Sequence, residues 1–268
     1  MIGKTLLIFL ALFALLYLAL CGLLYAKQRA LIYFPETTRV AAAQTDVSID
    51  RSDVVLRGWV ANPGRSGAIL YFGGNGESIE LNRGGFARYF PSRSSYLIAY
   101  RGYGASDGQP DQNALFADAL TIYDDVRQRH AGPIAVIGRS LGSGVASYLA
   151  SQRTVDRLVL VTPFDSLADV GQTHYPLFPV RWLVRDRYES FRYLPQHAGP
   201  LMVIRAPNDA VIPARHTDRL IAGLPREPEI VAFPRADHNN LSSDPRYWQS
   251  LATFVQAETV EANRPERR

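Results

Sequence analysis

Hydrophobic positions along the chain fall into distinct regimes. From Leu6 to Ala26 they run without a charge, dominated by Leu, Ile, Phe and Ala. At about 1.5 Å rise per residue this stretch makes a helix of roughly 30 Å, the thickness of a bilayer's hydrocarbon core. Further on, short apolar runs alternate with longer segments of helical spacing. The runs predict strands at Asp46 to Ile49, Val54 to Val60, Ala68 to Phe72, Tyr96 to Tyr100, Ile134 to Ile137, Leu158 to Val161, Leu201 to Ile204 and Glu229 to Phe233. The spacing predicts helices over Glu77 to Phe90, Asn113 to His130, the small-residue segment Ser143 to Ala150, and Leu241 to Val255. Such alternation argues an α/β class, with a mostly parallel, doubly wound sheet. Between Ser166 and Gly199 the pattern turns irregular and aromatic. It reads as a small cap over the C-terminal strand ends, with helix and loop packed beside the sheet as the alternative. The organisation expected is an anchor over 1–30, a folded domain over 31–257 with its cap at about 166–199, and a charged, disordered tail over 258–268.

The flanks of the first segment refine its reading. A cleaved signal peptide has an apolar core of only about 7–15 residues, and Leu20 is bulky for lipoprotein processing before Cys21. An uncleaved, single-pass membrane helix, in a bacterial inner membrane, is therefore expected. Lys27 and Arg29 outweigh Lys4, which leans the folded domain toward the cytoplasm. The chain has 268 residues, 47% hydrophobic and 20% charged, which suits a folded core. Its net charge of +4 is carried by scattered arginines, since Lys4 and Lys27 are the only lysines. Without a basic stripe, nucleic-acid binding has little support. Cys21 is the single cysteine, which excludes an intramolecular disulfide and a cysteine-based metal cluster.

The candidate chemistry centres on Gly138-Arg139-Ser140-Leu141-Gly142, which follows a strand and opens a helix. That order is a nucleophile elbow: the chain reverses so sharply that the serine takes strained angles and glycines are needed on either side. A serine hydroxyl needs a base, and the base needs an orienting acid. With the order Ser, Asp, His on successive strand ends, His238 is the expected base and Asp209, after the strand Leu201 to Ile204, the expected acid. Asp165 is the rival acid, and Asp237 is too near His238 in sequence to orient its ring. His130, His174, His197 and His216 are expected to have surface or packing roles. The oxyanion donors expected are the backbone N–H groups of Leu141 and Asn75, with Gly74 next. No metal-ligand spacing and no dinucleotide fingerprint is present, so no metal or cofactor is implied.

These residues resemble a known family. Gln28-Arg29, Tyr33-Phe34-Pro35, Tyr100-Arg101-Gly102-Tyr103-Gly104 with Ser106, Gly108 and Pro110, and Gly138 to Gly144 are similar to membrane-anchored α/β-hydrolases. That family includes fungal bud-emergence-type hydrolases, lysophosphatidylserine lipases and protein depalmitoylases. The resemblance implies an α/β-hydrolase fold, a triad of Ser140, Asp209 and His238, and oxyanion donors Asn75 and Leu141. It departs from the family where Gly73 replaces a histidine and Ala206-Pro207 replaces His-Gly. The expected activity is hydrolysis of an ester or thioester, with a small-molecule or lipid acyl substrate. An amidase or aminopeptidase with the same triad, and a non-catalytic tethered protein, are the alternatives. Arg181, Arg185 and Arg187 would be solvated surface groups or would meet an anionic head group.

Overall fold

The computed structural model describes residues 2–257, and the tail expected over 258–268 lies outside the described residues. A long helix, α1 (Ile2–Ile32), leads into strands β1 (Val47–Asp50) and β2 (Val55–Ala61). Then come β3 (Gly67–Phe72), α2 (Arg83–Tyr89), β4 (Arg93–Ile98), α3 (Gln112–Arg129), β5 (Ile134–Arg139), α4 (Leu141–Gln152) and β6 (Leu158–Val161). Short helices α5 (Leu167–His174), α6 (Val180–Leu183) and α7 (Ser190–Tyr193) occupy the aromatic stretch. The chain continues through β7 (Leu201–Arg205), α8 (Ala214–Ala222), β8 (Glu229–Ala232) and α9 (Pro245–Gln256).

The strands form one sheet in the order β1-β2-β4-β3-β5-β6-β7-β8. Strands β1, β2 and β4 pair antiparallel, and from β4 to β8 every pairing is parallel. This is the doubly wound α/β-hydrolase arrangement expected. Passing from β3 to β4 moves one way along the sheet, and passing from β4 to β5 reverses over β3. Right-handed crossovers then put α2 on one face and α3 on the other. Helix α4 continues in the same direction as α3 and packs against it, while α9 packs against α2. The reversal leaves a crevice between the carboxyl ends of β3 and β5, the usual ligand position in such a sheet. Residues Phe72 and Gly138 are in register there, so the loops that follow them face one another.

Several expectations shift in detail. The helix expected from Glu77 starts as a 3₁₀ turn at Ile79–Asn82 and becomes α-helical only at Arg83, because the Glu77 side chain folds back onto the Gly74 N–H. The closing helix starts at Pro245, after a separate turn at Leu241–Ser243, where the Asp244 side chain accepts the Arg246 N–H at 2.9 Å. The expected break at 30/31 falls inside α1, which runs to Ile32. The aromatic stretch divides between its two readings. Helices α5 and α6 line a cavity over the strand ends, whereas α7 packs beside α4, with the Tyr148 and Tyr193 rings 5.3 Å apart.

Helix α1 is long and apolar enough to cross a membrane, a test that a signal sequence also passes. Its apolar face is exposed, with Phe13 at 70% and Leu7 at 66%. The last turns are docked on the domain. Gln28 Nε2 donates to the Leu183 carbonyl at 3.2 Å, Arg185 N–H donates to Gln28 Oε1 at 2.6 Å, and Arg29 pairs with Asp186 at 3.1 Å. Just beyond, the buried Tyr33 and Tyr188 hydroxyls lie 2.7 Å apart.

A largely buried cluster ties α3 to the segments that follow β1 and β4. Asp118 on α3 receives Arg101 through two bonds of 2.7 Å and Arg51 at 2.5 Å. Removing the Asp118 carboxylate leaves Arg101 and Arg51 to share the half-exposed Asp53, at a cost of about 3 kcal/mol. Asp118→Ala is therefore expected to lower the melting temperature by roughly 10 °C in a thermal unfolding scan. A melting temperature that matches the wild type contradicts this assignment.

Candidate active site

Strand β5 is buried along Ile134 to Gly138, and its end throws the chain into the turn at Ser140. Ser140 has φ 51° and ψ −118°, a left-handed conformation that costs an L-residue of order 1–3 kcal/mol. Its backbone is fixed on both sides: Ser140 N–H donates to the Val161 carbonyl at 2.9 Å, and the Ser140 carbonyl accepts the Ser143 N–H at 2.8 Å. The flanking glycines are steric necessities. A Cβ on Gly138 would lie 2.4 Å from the Gly142 carbonyl oxygen, and one on Gly142 would lie 2.0 Å from that of Phe72.

Ser140, His238 and Asp209 form one line of hydrogen bonds. His238 Nε2 lies 2.9 Å from Ser140 Oγ, and His238 Nδ1 lies 2.6 Å from Asp209 Oδ2. A carboxylate only accepts, so Nδ1 carries the proton and Nε2 is free to accept from the serine. The other Asp209 oxygen accepts the Val211 and Ile212 N–H groups at 2.8 and 2.7 Å. Asn208 Nδ2 ties this loop to the Pro234 carbonyl at 2.9 Å, four residues before His238. All three side chains are buried. The rival acid is engaged elsewhere: Asp165 pairs with His216 and Arg219, each at 2.8 Å. Asp237 accepts the Asn239 N–H in an exposed turn. His130 bonds Tyr96, and His197 lies near Pro200. His174 borders the cavity, 2.9 Å from the Val211 carbonyl.

Of the oxyanion candidates, Gly74 is occupied, because its N–H donates to Glu77 Oε2 at 2.5 Å. Among the described residues, no protein acceptor takes the backbone N–H of Asn75 or Leu141. Both residues line the cavity beside Ser140. The Asn75 side chain turns away and donates to the Ile32 carbonyl at 3.2 Å. The Tyr100–Gly104 motif supports this loop from below. Tyr100 OH donates to the Gly73 carbonyl at 2.9 Å, and the Tyr103 hydroxyl accepts the Gly76 N–H at 3.4 Å.

Sequence reasoning passed over Glu77 and Arg139. Arg139, in the variable position before Ser140, donates to Glu77 Oε2 at 2.9 Å and to the His238 carbonyl at 3.0 Å. Glu77 Oε1 also accepts from Tyr71 OH at 2.7 Å and Asn82 Nδ2 at 2.8 Å. Burial alone would raise the Glu77 carboxyl, but Arg139 and the Gly74 N–H outweigh it and hold it below its ordinary 4.5. No local pattern announces a pair 62 positions apart. An acid just after the glycine-rich loop was the one available signal.

A cavity of about 790 Å³ opens onto Ser140. Its walls are mostly apolar and come from α1 (Leu24, Leu31, Ile32) and from the cap (Val170, Phe178, Leu183). Among the described residues, no group of His, Cys, Asp or Glu is arranged to hold a metal ion. Arg181 pairs with Asp169 and Arg187 with Glu189, while Arg185 lies over the Tyr25 ring at 4.1 Å.

No family model matches the chain. It is 35% identical over 223 residues to an uncharacterized protein of Mycobacterium tuberculosis, covering 78% of this chain and 79% of the relative. It is 26% identical to bem46 of Schizosaccharomyces pombe, over 70% of this chain and 66% of the relative. It is 31% identical to the lysophosphatidylserine lipase ABHD12 of Danio rerio, over 42% of this chain and 35% of the relative. Among solved structures, Est1E of Butyrivibrio proteoclasticus superposes with a TM-score of 0.65 at 13% identity, over 79% of this chain and all (100%) of that one. An esterase of Pyrococcus furiosus superposes with a TM-score of 0.64 at 18% identity, over 78% and 90%. The chain belongs to the α/β-hydrolase family, together with relatives named bem46 and ABHD12, and is a hydrolase.

Proposed function

We propose that the protein cleaves a carboxylic ester or thioester through an acyl-enzyme, with Ser140 as nucleophile, His238 as general base and acid, and Asp209 as the group that orients the imidazole. The observation that carries this reading is the unbroken line Asp209–His238–Ser140, ending on a serine held at positive φ. As Ser140 Oγ attacks the carbonyl carbon, its proton passes to His238 Nε2, leaving the imidazolium paired with Asp209. The carbonyl oxygen becomes an oxyanion that accepts from the Leu141 and Asn75 N–H groups, each worth about 3–4 kcal/mol of barrier. His238 then gives the proton to the departing alcohol or thiol, and the acyl group stays on Oγ. A water, deprotonated by His238, attacks the acyl carbon, releases the carboxylic acid and restores Ser140.

The apolar cavity supports an acyl chain as the part of the substrate that is bound. The name of the ABHD12 relative, a lysophosphatidylserine lipase, agrees with a lipid-like ester. Helix α1 acts as an uncleaved anchor in this reading. A contiguous row of exposed leucines is costly in water, and the last turns of the same helix form part of the cavity wall. Glu77 and Arg139 act as positioning residues. Through one ion pair they join the loop of Asn75, the elbow of Ser140 and the carbonyl of His238.

A fluorophosphonate probe is expected to label the wild type and to fail on Ser140→Ala; equal labelling of the two would sink the assignment. Glu77→Gln keeps the side-chain shape but loses the charge, and is expected to lower kcat about tenfold with KM close to wild type. Because the Glu77 carboxyl is depressed in the folded state, its stabilisation is complete above its ordinary 4.5 and is lost as pH falls below that value. The melting-temperature gap between wild type and Glu77→Gln should therefore be widest near neutral pH and close under acid; a gap independent of pH contradicts the ion-pair role. After an alkaline carbonate wash the full-length chain should stay with the membrane pellet, and its release into the supernatant would exclude the anchor.

A further inference from the structure

The cap exposes an apolar tip. Leu177 is 81% exposed, Trp182 89% and Tyr175 54%, within one stretch of eight positions. A soluble surface does not ordinarily present large apolar side chains in such a group. The tip is not on a remote face, because it lies against α1. Tyr17 OH donates to the Leu177 carbonyl at 2.9 Å, and the Tyr17 and Phe178 rings stack at 5.8 Å with an interplanar angle of 1°. Tyr17 lies in the middle of the uncharged stretch from Leu6 to Ala26.

Further along α1 the cap meets Tyr25 and Gln28 through Arg185 and Leu183. Arg185 over the Tyr25 ring is a cation beside an amphipathic aromatic, the pairing favoured at a membrane–water interface. Lys27 and Arg29 follow at the same end of the helix. From Tyr25 back to Tyr17 is about 12 Å along the helix axis, well into a leaflet about 15 Å deep. The tip therefore lies beside α1 at the depth of acyl chains, with Arg185 near head-group level. The one cation inside the tip, Arg181, turns its guanidinium onto Asp169 of α5. That pairing directs its charge toward the domain.

We propose that the cap tip, Tyr175 to Trp182, is a second membrane-inserted element seated in the same leaflet as α1, and that a long-chain acyl ester enters the cavity sideways from that leaflet, between α1 and the cap. The occupant of the apolar tip is bilayer hydrocarbon. The cavity walls fit such a route, since Leu24 and Leu31 come from α1, and Tyr175, Phe178 and Leu183 from the cap. A chain that moves from lipid into this space stays in apolar surroundings until its carbonyl reaches Ser140. The entry route rests on the proposed serine-esterase reading; the insertion of the tip rests only on the anchor.

The native tryptophans offer a test. Trp59 is buried and Trp248 packs against Phe86 and Tyr89, so Trp182 is the exposed one. The full chain is reconstituted in phosphatidylcholine vesicles, and the Trp182 emission is obtained as the difference between wild type and Trp182→Phe. Lipid brominated at mid-chain is expected to quench that difference signal at least about twofold, with aqueous iodide having little effect. Quenching by iodide and not by bromolipid overturns the insertion. Leu177→Asp then separates insertion from chemistry. It is expected to lower kcat/KM about tenfold for a long-chain nitrophenyl ester dissolved in the vesicles, and to leave a short, water-soluble nitrophenyl ester unaffected. An equal effect on both esters, or none on either, overturns lateral entry. Failure of the esterase reading would appear differently, as a wild type inert toward both esters while bromolipid quenching persists.

Discussion

The ion pair between Glu77 and Arg139 joins parts of the site that the fold delivers from separate strands. Arg139 ends β5 and precedes the strained serine, Glu77 closes the loop after β3, and the carbonyl that Arg139 also grips belongs to His238, beyond β8. Each loop alone would be free to drift by an ångström, enough to open the 2.9 Å contact between Ser140 and His238. Burial raises the cost of parting the two charges, and Tyr71, Asn82 and the Gly74 N–H complete the hydrogen bonding of the carboxylate. The pair is also the reason why Gly74 cannot serve an oxyanion. Its N–H is spent on holding the loop, which leaves the proposed oxyanion role to the next residue, Asn75.

Helix α1 is bound into the same construction. Beyond its apolar stretch, Gln28 and Arg29 bond cap residues 183 to 186, and Ile32 accepts from the Asn75 side chain. That last bond reaches the loop proposed to hold the oxyanion. Helix, cap and loop thus form one wall around the cavity, and a boundary at residue 30 cuts through it. In an α/β sheet the strand ends supply the reacting groups, and what covers them is left to insertions. Here the cover combines an insertion with the last turns of α1.

Legibility in the sequence followed the range of the interactions. The central parallel strands are legible because a buried parallel strand is a short apolar run, as Leu158 to Val161 is to the residue. The strand expected at Tyr96 to Tyr100 instead spans Arg93–Ile98, since its first three residues are polar although buried. The elbow was visible because its glycines answer contacts made within a few positions, such as Gly138 with Gly142. Asp209 and His238 could be expected from chain order and strand ends, and the fold brings both to Ser140. The helix expected from Glu77 starts later, because that side chain is held both by the Gly74 N–H and by Arg139, 62 positions away, which helical spacing cannot reveal. The aromatic stretch was readable as irregular but not as divided, since its α5–α6 part answers to the cavity and α7 to the Phe116 and Tyr148 rings on α3 and α4.

The polar side chains around the cavity bear on how a substrate is selected. Gln28 is held by Leu183 and Arg185, Asn75 by Ile32, and His174 by Val211. These three have their bonds within the protein, so an entering molecule meets a mostly apolar wall before it reaches Ser140 and the N–H groups of Asn75 and Leu141. Apolar walls discriminate weakly, by about 1–3 kcal/mol per methylene, whereas unpaired buried polar groups would reject a mismatched head group strongly. A site of this kind does not need to read a head group to be selective. In the arrangement proposed for the cap tip and α1, the molecules that reach Ser140 are those already dissolved in that leaflet. Residence in the membrane then performs the selection that a polar pocket performs in a soluble esterase.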